Sequence, residues 1–482
     1  MSAALSYYLL LKLLVMALNH TLKKLYRETR VALRGSETNF TTGSIRRAIF
    51  LLSVPMVLEM VMESLFAVVD IFFVGRVGVH AVATVGLTES VLTIIYSVAI
   101  GLSVAATAMV SRRVGEGRPE RAGDAAFQAI VIAASFSVVI AIGGAVFAPD
   151  ILRLMGGEAD LVETGTGYTR LMFASNISIM LLFLINGIFR GAGNASLAMR
   201  SLWIANGLNI LLDPLFIFGW GPIPAFGVTG AAIATTIGRT VGVLFQLYYL
   251  LGGKAVVRVG YANVVLRWKA LVNILRIASG SMGQFLVESA SWIFLVRIIA
   301  LFGSEALAGY TIAIRIIIFS ILPSWGLSNA AATLVGQNLG AGHPTRAEKS
   351  VWQTAFYNLL FLLFLSVIFY AAAYPLVGLF SDDPAVIRQG AESLRIICLG
   401  YAFVSYGMVV AQSFNGAGNT RTPLLINLGC YWLLQIPLAY GLAVPLEWGP
   451  TGVYVAIAIA FSVAAVVSVV LFRQGRWKTV QV

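Results

Sequence analysis

The sequence predicts an all-α integral membrane protein: twelve transmembrane helices in two six-helix lobes related by a parallel internal repeat. Three observations predict it. Hydrophobic residues make up 59% of the 482 and charged residues 11%, with a mean hydropathy of +0.87; a soluble domain carries about a quarter charged residues. Apolar runs of roughly 20 residues, the length that crosses a bilayer, fall into six plus six. Finally, the segment from Gly101 to Ala122 returns without a gap 225 residues later, from Gly326 to Ala347, with half of the 22 positions identical.

The same displacement carries Phe189-Arg-Gly-Ala-Gly-Asn194 onto Phe414-Asn-Gly-Ala-Gly-Asn419. One unit is therefore written twice. A duplicated, strongly apolar chain of this length is the signature of a secondary transporter with its site between the halves.

The first six spans lie near 50–76, 82–110, 123–148, 167–190, 196–219 and 227–252. The second six lie near 274–301, 306–336, 350–374, 393–416, 422–446 and 450–472. Their uninterrupted length excludes barrel strands, which alternate over about ten residues. Bases mark every second connection: Arg112, Arg113, Arg118 and Arg121 in one, Lys254, Arg258, Arg267 and Lys269 in another, Arg473, Arg476 and Lys478 at the tail. The intervening connections are acidic, with Asp150, Glu158, Asp160 and Glu163, then Asp382 and Asp383. The positive-inside rule then puts both termini in the cytoplasm; the spans are expected in the plasma membrane of a bacterial or archaeal cell. The expected divisions are a cytoplasmic N-terminal segment (1–44), an N-lobe (45–252), a cytoplasmic linker (253–270), a C-lobe (271–475) and a cytoplasmic tail (476–482). Residues 1–18 read as an interfacial helix or weakly structured tail rather than a signal peptide, and 35–44 as a linker into the first span.

A net charge of +12 would suit nucleic acid, but the bases cluster in the gaps between apolar runs, so it reads as topology and no nucleic-acid partner is expected. Cys398 and Cys430 match no metal spacing, and His20, His80 and His343 form no ligand cluster. The Gly-x-Gly-x-Pro turns at 115 and 340 lack the lysine and serine of a phosphate-binding loop. No nucleophile–base pattern supports an enzyme, and no cofactor is implied.

Carboxylates inside the spans carry the chemistry. One at mid-bilayer costs about 2.5–3.5 kcal/mol on insertion scales, and such groups face a cavity or a partner. Glu59, Glu63 and Asp70, at i, i+4 and i+11, share one face of the first span. Their mutual repulsion favours holding a proton or a monovalent cation. Glu59, nearest the cytoplasmic end, has an equal reading as a snorkelling residue paired with Arg46 or Arg47. The fifth span adds Asn209 and Asp213 beside Pro214, the fourth Asn186 and Arg190, and the sixth Thr235 and Arg239, the last a cytoplasm-side or cavity-side partner. Displacement by 225 sets Glu288 opposite Glu63, while the positions matching Asp70 and Asp213 are apolar, near Leu295 and Ile436. The titratable groups thus concentrate in the N-terminal half.

Taken together, Ser53-Val-Pro-Met56, Asp70 followed by Phe72-Phe-Val-Gly75, Asn186-Gly-Ile-Phe-Arg-Gly-Ala-Gly193, Asn209-Ile-Leu-Leu-Asp-Pro-Leu-Phe-Ile217 and Phe226-Gly-Val-Thr-Gly-Ala-Ala232 resemble the multidrug and toxic compound extrusion (MATE) family, from about residue 45 to 475. The resemblance implies a twelve-helix exporter driven by inward H⁺ or Na⁺ flow. It implies an N-lobe coupling site of Asp70, Asn209, Asp213, Thr235 and Tyr168, with Na⁺ held by Asp70, Asn209 and Asp213 if Na⁺ is the ion. Glu288 matches a seventh-helix acid of another branch. That branch's tenth-helix acid has no counterpart, since no carboxylate lies between Glu392 and Glu447.

The expected function is a multidrug exporter working as a monomer, antiporting organic cations or amphiphilic drugs against H⁺ or Na⁺. Glu63, Glu288, Asn186 and Glu59 are the candidates for the substrate cavity, where cations gain from carboxylates and aromatic faces. The alternatives are a lipid-linked oligosaccharide flippase of the same broad fold, which needs a basic cavity, and a major-facilitator transporter. The latter's loop carries an Asp-Arg pair absent from Val114-Gly-Glu-Gly-Arg-Pro119.

Overall fold

The computed structural model describes residues 23–35 and 40–481, so the proposed interfacial helix at 1–18 and part of the 35–44 linker lie outside the described residues. The described residues form helices joined by short connections. α1 (Ile45–Gly75), α2 (Val79–Gly115), α3 (Pro119–Val146), the short α4 (Ala148–Leu154), α5 (Ala159–Ala174), α6 (Asn176–Gly191), α7 (Ala195–Phe218) and α8 (Val228–Leu251) make the first set. α9 (Trp268–Ala300), α10 (Ser304–Gly340), α11 (Pro344–Ala371), the short α12 (Ala373–Gly378), α13 (Pro384–Leu399), α14 (Tyr401–Gly416), α15 (Arg421–Ala443) and α16 (Pro450–Arg473) repeat its order of long, short and paired helices.

Nine of these helices are long and apolar enough to cross a membrane, or eleven units when each bent pair counts as one. α1 stands outside that set; at 31 residues it has the length to span, and it carries Glu59, Glu63 and Asp70. Two breaks were invisible in the apolar runs. α5 and α6 meet at 41°, α13 and α14 at 58°. Each member has 16 residues, about 24 Å of helix against a hydrocarbon core of about 30 Å, so only the pair reaches across. α15 contains a π-helical stretch, Leu428–Gln435, which runs up to Pro437, a residue with no N–H for the helical ladder.

The repeated turns have a backbone reason. Gly117 and Gly342, 225 residues apart, end α2 and α10 at φ 72° and 75°, a left-handed geometry that glycine adopts without strain. Pro119 and Pro344 follow at the first position of the next helix, where a missing N–H leaves no bond unmade.

The halves pack reciprocally. A side chain at Gly326 on α10 would collide with the α1 backbone at Met56 and Val57, and one at Gly101 on α2 with α9 at Ala278 and Met282. Lower down, Gly115 lies against Gln337, and Gly340 against Arg112. These are the same pair of repeat positions used twice. Between them Gly336 abuts Ser111, its own counterpart, so the pseudo-two-fold axis passes between those two residues. This end of the molecule is closed.

Both ends of the described chain converge there. Arg346, beyond the second turn, donates to the carbonyls of Phe40, Thr42 and Gly43 at 3.2, 2.9 and 2.9 Å. The tail returns across it: Trp477 is fully buried and stacked on Phe472 at 4.6 Å, Lys478 pairs with Glu348 at 2.6 Å, and Arg112 donates to the carbonyl of Val480. The segment expected as a linker is pinned to α3, with Arg267 on Asp124 at 2.7 Å and Asn263 donating to the same carboxylate at 2.8 Å.

Candidate functional site

The acidic stripe of α1 meets a different environment at each residue. Glu59 corrects the reading of it as a snorkelling residue. It is 1% exposed, and its Oε1 accepts from Arg190 Nη1 at 2.8 Å and Asn186 Nδ2 at 3.1 Å. Arg47 is turned instead to Glu28, at 2.9 Å. The reason is depth: α1 begins at Ile45, so Glu59 lies four turns inside it and not at its end. Arg190 Nη2 continues to Ser103 Oγ at 3.0 Å, while Asn186 Oδ1 accepts from Ser201 at 2.8 Å and Gln246 at 2.7 Å. Glu59 and Asn186 therefore belong to a polar network that leaves Glu59 Oε2 without a partner, and neither is among the residues lining the cavity at Glu288. Glu63, half-buried, accepts from Asn206 Nδ2 at 2.8 Å.

Deeper in the N-lobe, three of the candidate coupling residues are hydrogen-bonded together. α7 sets Asn209 and Asp213 one turn apart, and Asn209 Nδ2 donates to Asp213 Oδ1 at 3.3 Å and to Thr235 Oγ1 on α8 at 3.0 Å. Asp213 is 0% exposed. Its Oδ2 and the Oδ1 of Asn209 are buried with no hydrogen-bond partner, which is the acceptor set that a proton or a small cation would satisfy. Asp70 on α1 lies within electrostatic reach of Asp213, as does buried Tyr168 on α5 of Asp70. Among the described residues no group of three or more His, Cys, Asp and Glu could hold a metal ion.

Glu288 sits elsewhere. It is on the wall of a cavity of about 250 Å³, bounded by Ile100 and Val104 of α2 but built mostly from the second half of the chain: Gln284 and Phe285 on α9, Trp325 on α10, Gln412 on α14 and Tyr431 on α15. The lining contains this one carboxylate and no lysine or arginine. An aromatic-walled pocket with one acid suits an organic cation.

Two further groups belong to the N-lobe cluster. Glu89, one turn from Thr93 on α2, was passed over inside an apolar run; it lies within electrostatic reach of Asp70 and of Arg239. Arg239, noted as a partner without an assigned place, is 4% exposed and donates to the Tyr96 hydroxyl at 3.1 Å. An acid within an apolar run is itself the signal that could have found Glu89.

The comparisons with known proteins agree with this architecture. The family model described as MatE matches twice, over residues 55–215 and 281–441. A Thermotoga maritima protein described as "Probable multidrug resistance protein NorM" is 26% identical over 435 residues, 90% of this chain and 93% of that one. The FAD transporter of Shewanella oneidensis is 26% identical over 407 residues, 83% and 88% of the two chains. The solved outward-facing conformation of a multidrug resistance MATE family transporter of the MOP superfamily superimposes with a TM-score of 0.85 at 27% identity, covering 92% of this chain and 98% of that one. With two-thirds of its length in two family matches and the paired lobes to go with them, the chain belongs to the MATE family of multi-pass membrane multidrug efflux transporters.

Proposed function

We propose that this transporter is an antiporter that exports cationic amphiphiles against an inward flow of H⁺ or Na⁺. The coupling ion binds in the N-lobe (45–252) and the drug in the cavity that faces Glu288 of the C-lobe (271–475). The linker 253–270 and both termini are cytoplasmic, and one chain is the working unit. The observation that carries this reading is the buried pair of unpartnered oxygens on Asn209 and Asp213 beside Thr235. Such acceptors in low dielectric are strongly unfavourable unless an ion or proton completes them. The acidic, base-free lining around Glu288 favours a cation over a phosphate-bearing molecule such as the one named for the Shewanella relative, and over a lipid pyrophosphate.

Alternating access then needs an ion whose affinity differs between the two states by a few kcal/mol. Two acids on different helices supply it: α1 and α7 together hold the ion, and α1 and α7 apart release it. The test is efflux of a cationic dye from vesicles containing the purified protein, with pH and Na⁺ gradients imposed separately. Export driven by one gradient and abolished by its collapse supports antiport. Equal export with neither gradient overturns it.

A further inference from the structure

The N-lobe cluster contains a cation of its own. Arg239 on α8 donates from Nη2 to Tyr96, and its guanidinium carbon stands 5.8 Å from the ring centroids of both Phe66 and Tyr96, a geometry that stabilises a positive charge without neutralising it. Its Nη1 is buried and has no hydrogen-bond partner. Around it, within electrostatic reach, are Glu63 and Asp70 from α1, Glu89 from α2 and Tyr168 from α5. Asp213, Asn209 and Thr235 lie beyond Asp70. None of these carboxylates is hydrogen-bonded to the guanidinium, whose one polar partner is Tyr96.

Arg239 is thus held on aromatic faces with a free donor, and the acids within its electrostatic reach are not bonded to it. We propose that Arg239 is a tethered competitor of the coupling ion. While Asp70 of α1 and Asp213 of α7 hold their ion, the guanidinium rests on Tyr96 and Phe66. When the ion leaves, Nη1 turns to the vacated carboxylates. Charge is thereby exchanged within the site, and no bare carboxylate remains in a low-dielectric interior, where it would oppose release. Arg239 is a positioning residue that drives ion release, and its presence leaves the organic cation to the base-free cavity at Glu288. This inference rests on the reading of Asp70 and Asp213 as the coupling site.

The test is equilibrium binding of radioactive Na⁺, and proton release in weakly buffered detergent solution, on the purified full chain. Arg239→Gln should bind the coupling ion about tenfold or more tightly, because a competing charge within electrostatic reach is gone, and should export dye more slowly because release is impaired. Arg239→Lys keeps a charge and should stay nearer the native affinity. Tyr96→Phe removes the resting hydrogen bond and should weaken ion binding several-fold, and it gives an independent reading should Arg239→Gln fail to fold. Unchanged or weaker ion binding in folded Arg239→Gln, or unchanged or tighter binding in Tyr96→Phe, overturns the proposal. If Asp70→Asn loses ion binding while Arg239→Gln behaves as native, the competitor fails and the coupling site stands. If Asp70→Asn binds the ion as native does, the coupling site itself fails and the competitor with it.

Discussion

Glu59 and Arg190 form a buried ion pair at 2.8 Å, and the residues 225 positions later, Gln284 and Asn415, hydrogen-bond each other reciprocally at 3.0 and 3.2 Å. The two halves thus hold the same helices together at the same place, once with opposite charges and once with amides. The charged version is the more demanding one, because Glu59 Oε2 remains without a partner.

Glu59→Gln should therefore destabilise the protein by about 3–5 kcal/mol, the usual penalty for stranding one member of a buried pair. The double change Glu59→Gln with Arg190→Asn, which copies the second half, should recover most of that loss. Thermal unfolding in detergent measures both. A single variant as stable as the native protein would place the pair outside the stabilising network.

Asp70→Asn keeps the side chain's shape and removes its charge and proton site. Gradient-driven dye efflux should fall to the level of protein-free vesicles, while the amount of folded protein in the membrane is unchanged. Native-rate efflux would remove Asp70 from the coupling site.

Glu288→Gln should raise the apparent KM for cationic dyes by about tenfold or more, the scale of a lost hydrogen bond to a charged group, with little effect on neutral amphiphiles of similar size. Transport of both classes compared in the same vesicles decides it.

A cysteine introduced in the 155–160 connection should react with an impermeant reagent added to intact cells, and one at 117–118 should not. The opposite pattern would invert the topology.

Length and apolarity made the helices legible, and the 225-residue displacement made their pairing into halves legible. The bends at Ser175 and Gly400 were not, because neither carries a proline and each break sits within a continuous apolar run. The grouping of Asn209, Asp213 and Thr235 followed from spacing and family resemblance. The burial of Glu59 was not legible because its partner lies 131 residues away, and what decides burial at that distance is packing of α1 against α7 and α10. The same limit applied to Arg239, whose surroundings come from four other helices.

The contact between Ser111 and Gly336 shows what fusing two copies into one chain makes available. Two identical subunits meeting on a two-fold axis must present the same residue to each other. Two serines there would contend for one volume, and two glycines would leave a gap. In a single chain the two sides of the axis are separate codons, so one can recede where the other protrudes. The seam at the closed end is tight because the molecule is no longer symmetric where symmetry would have been most restrictive.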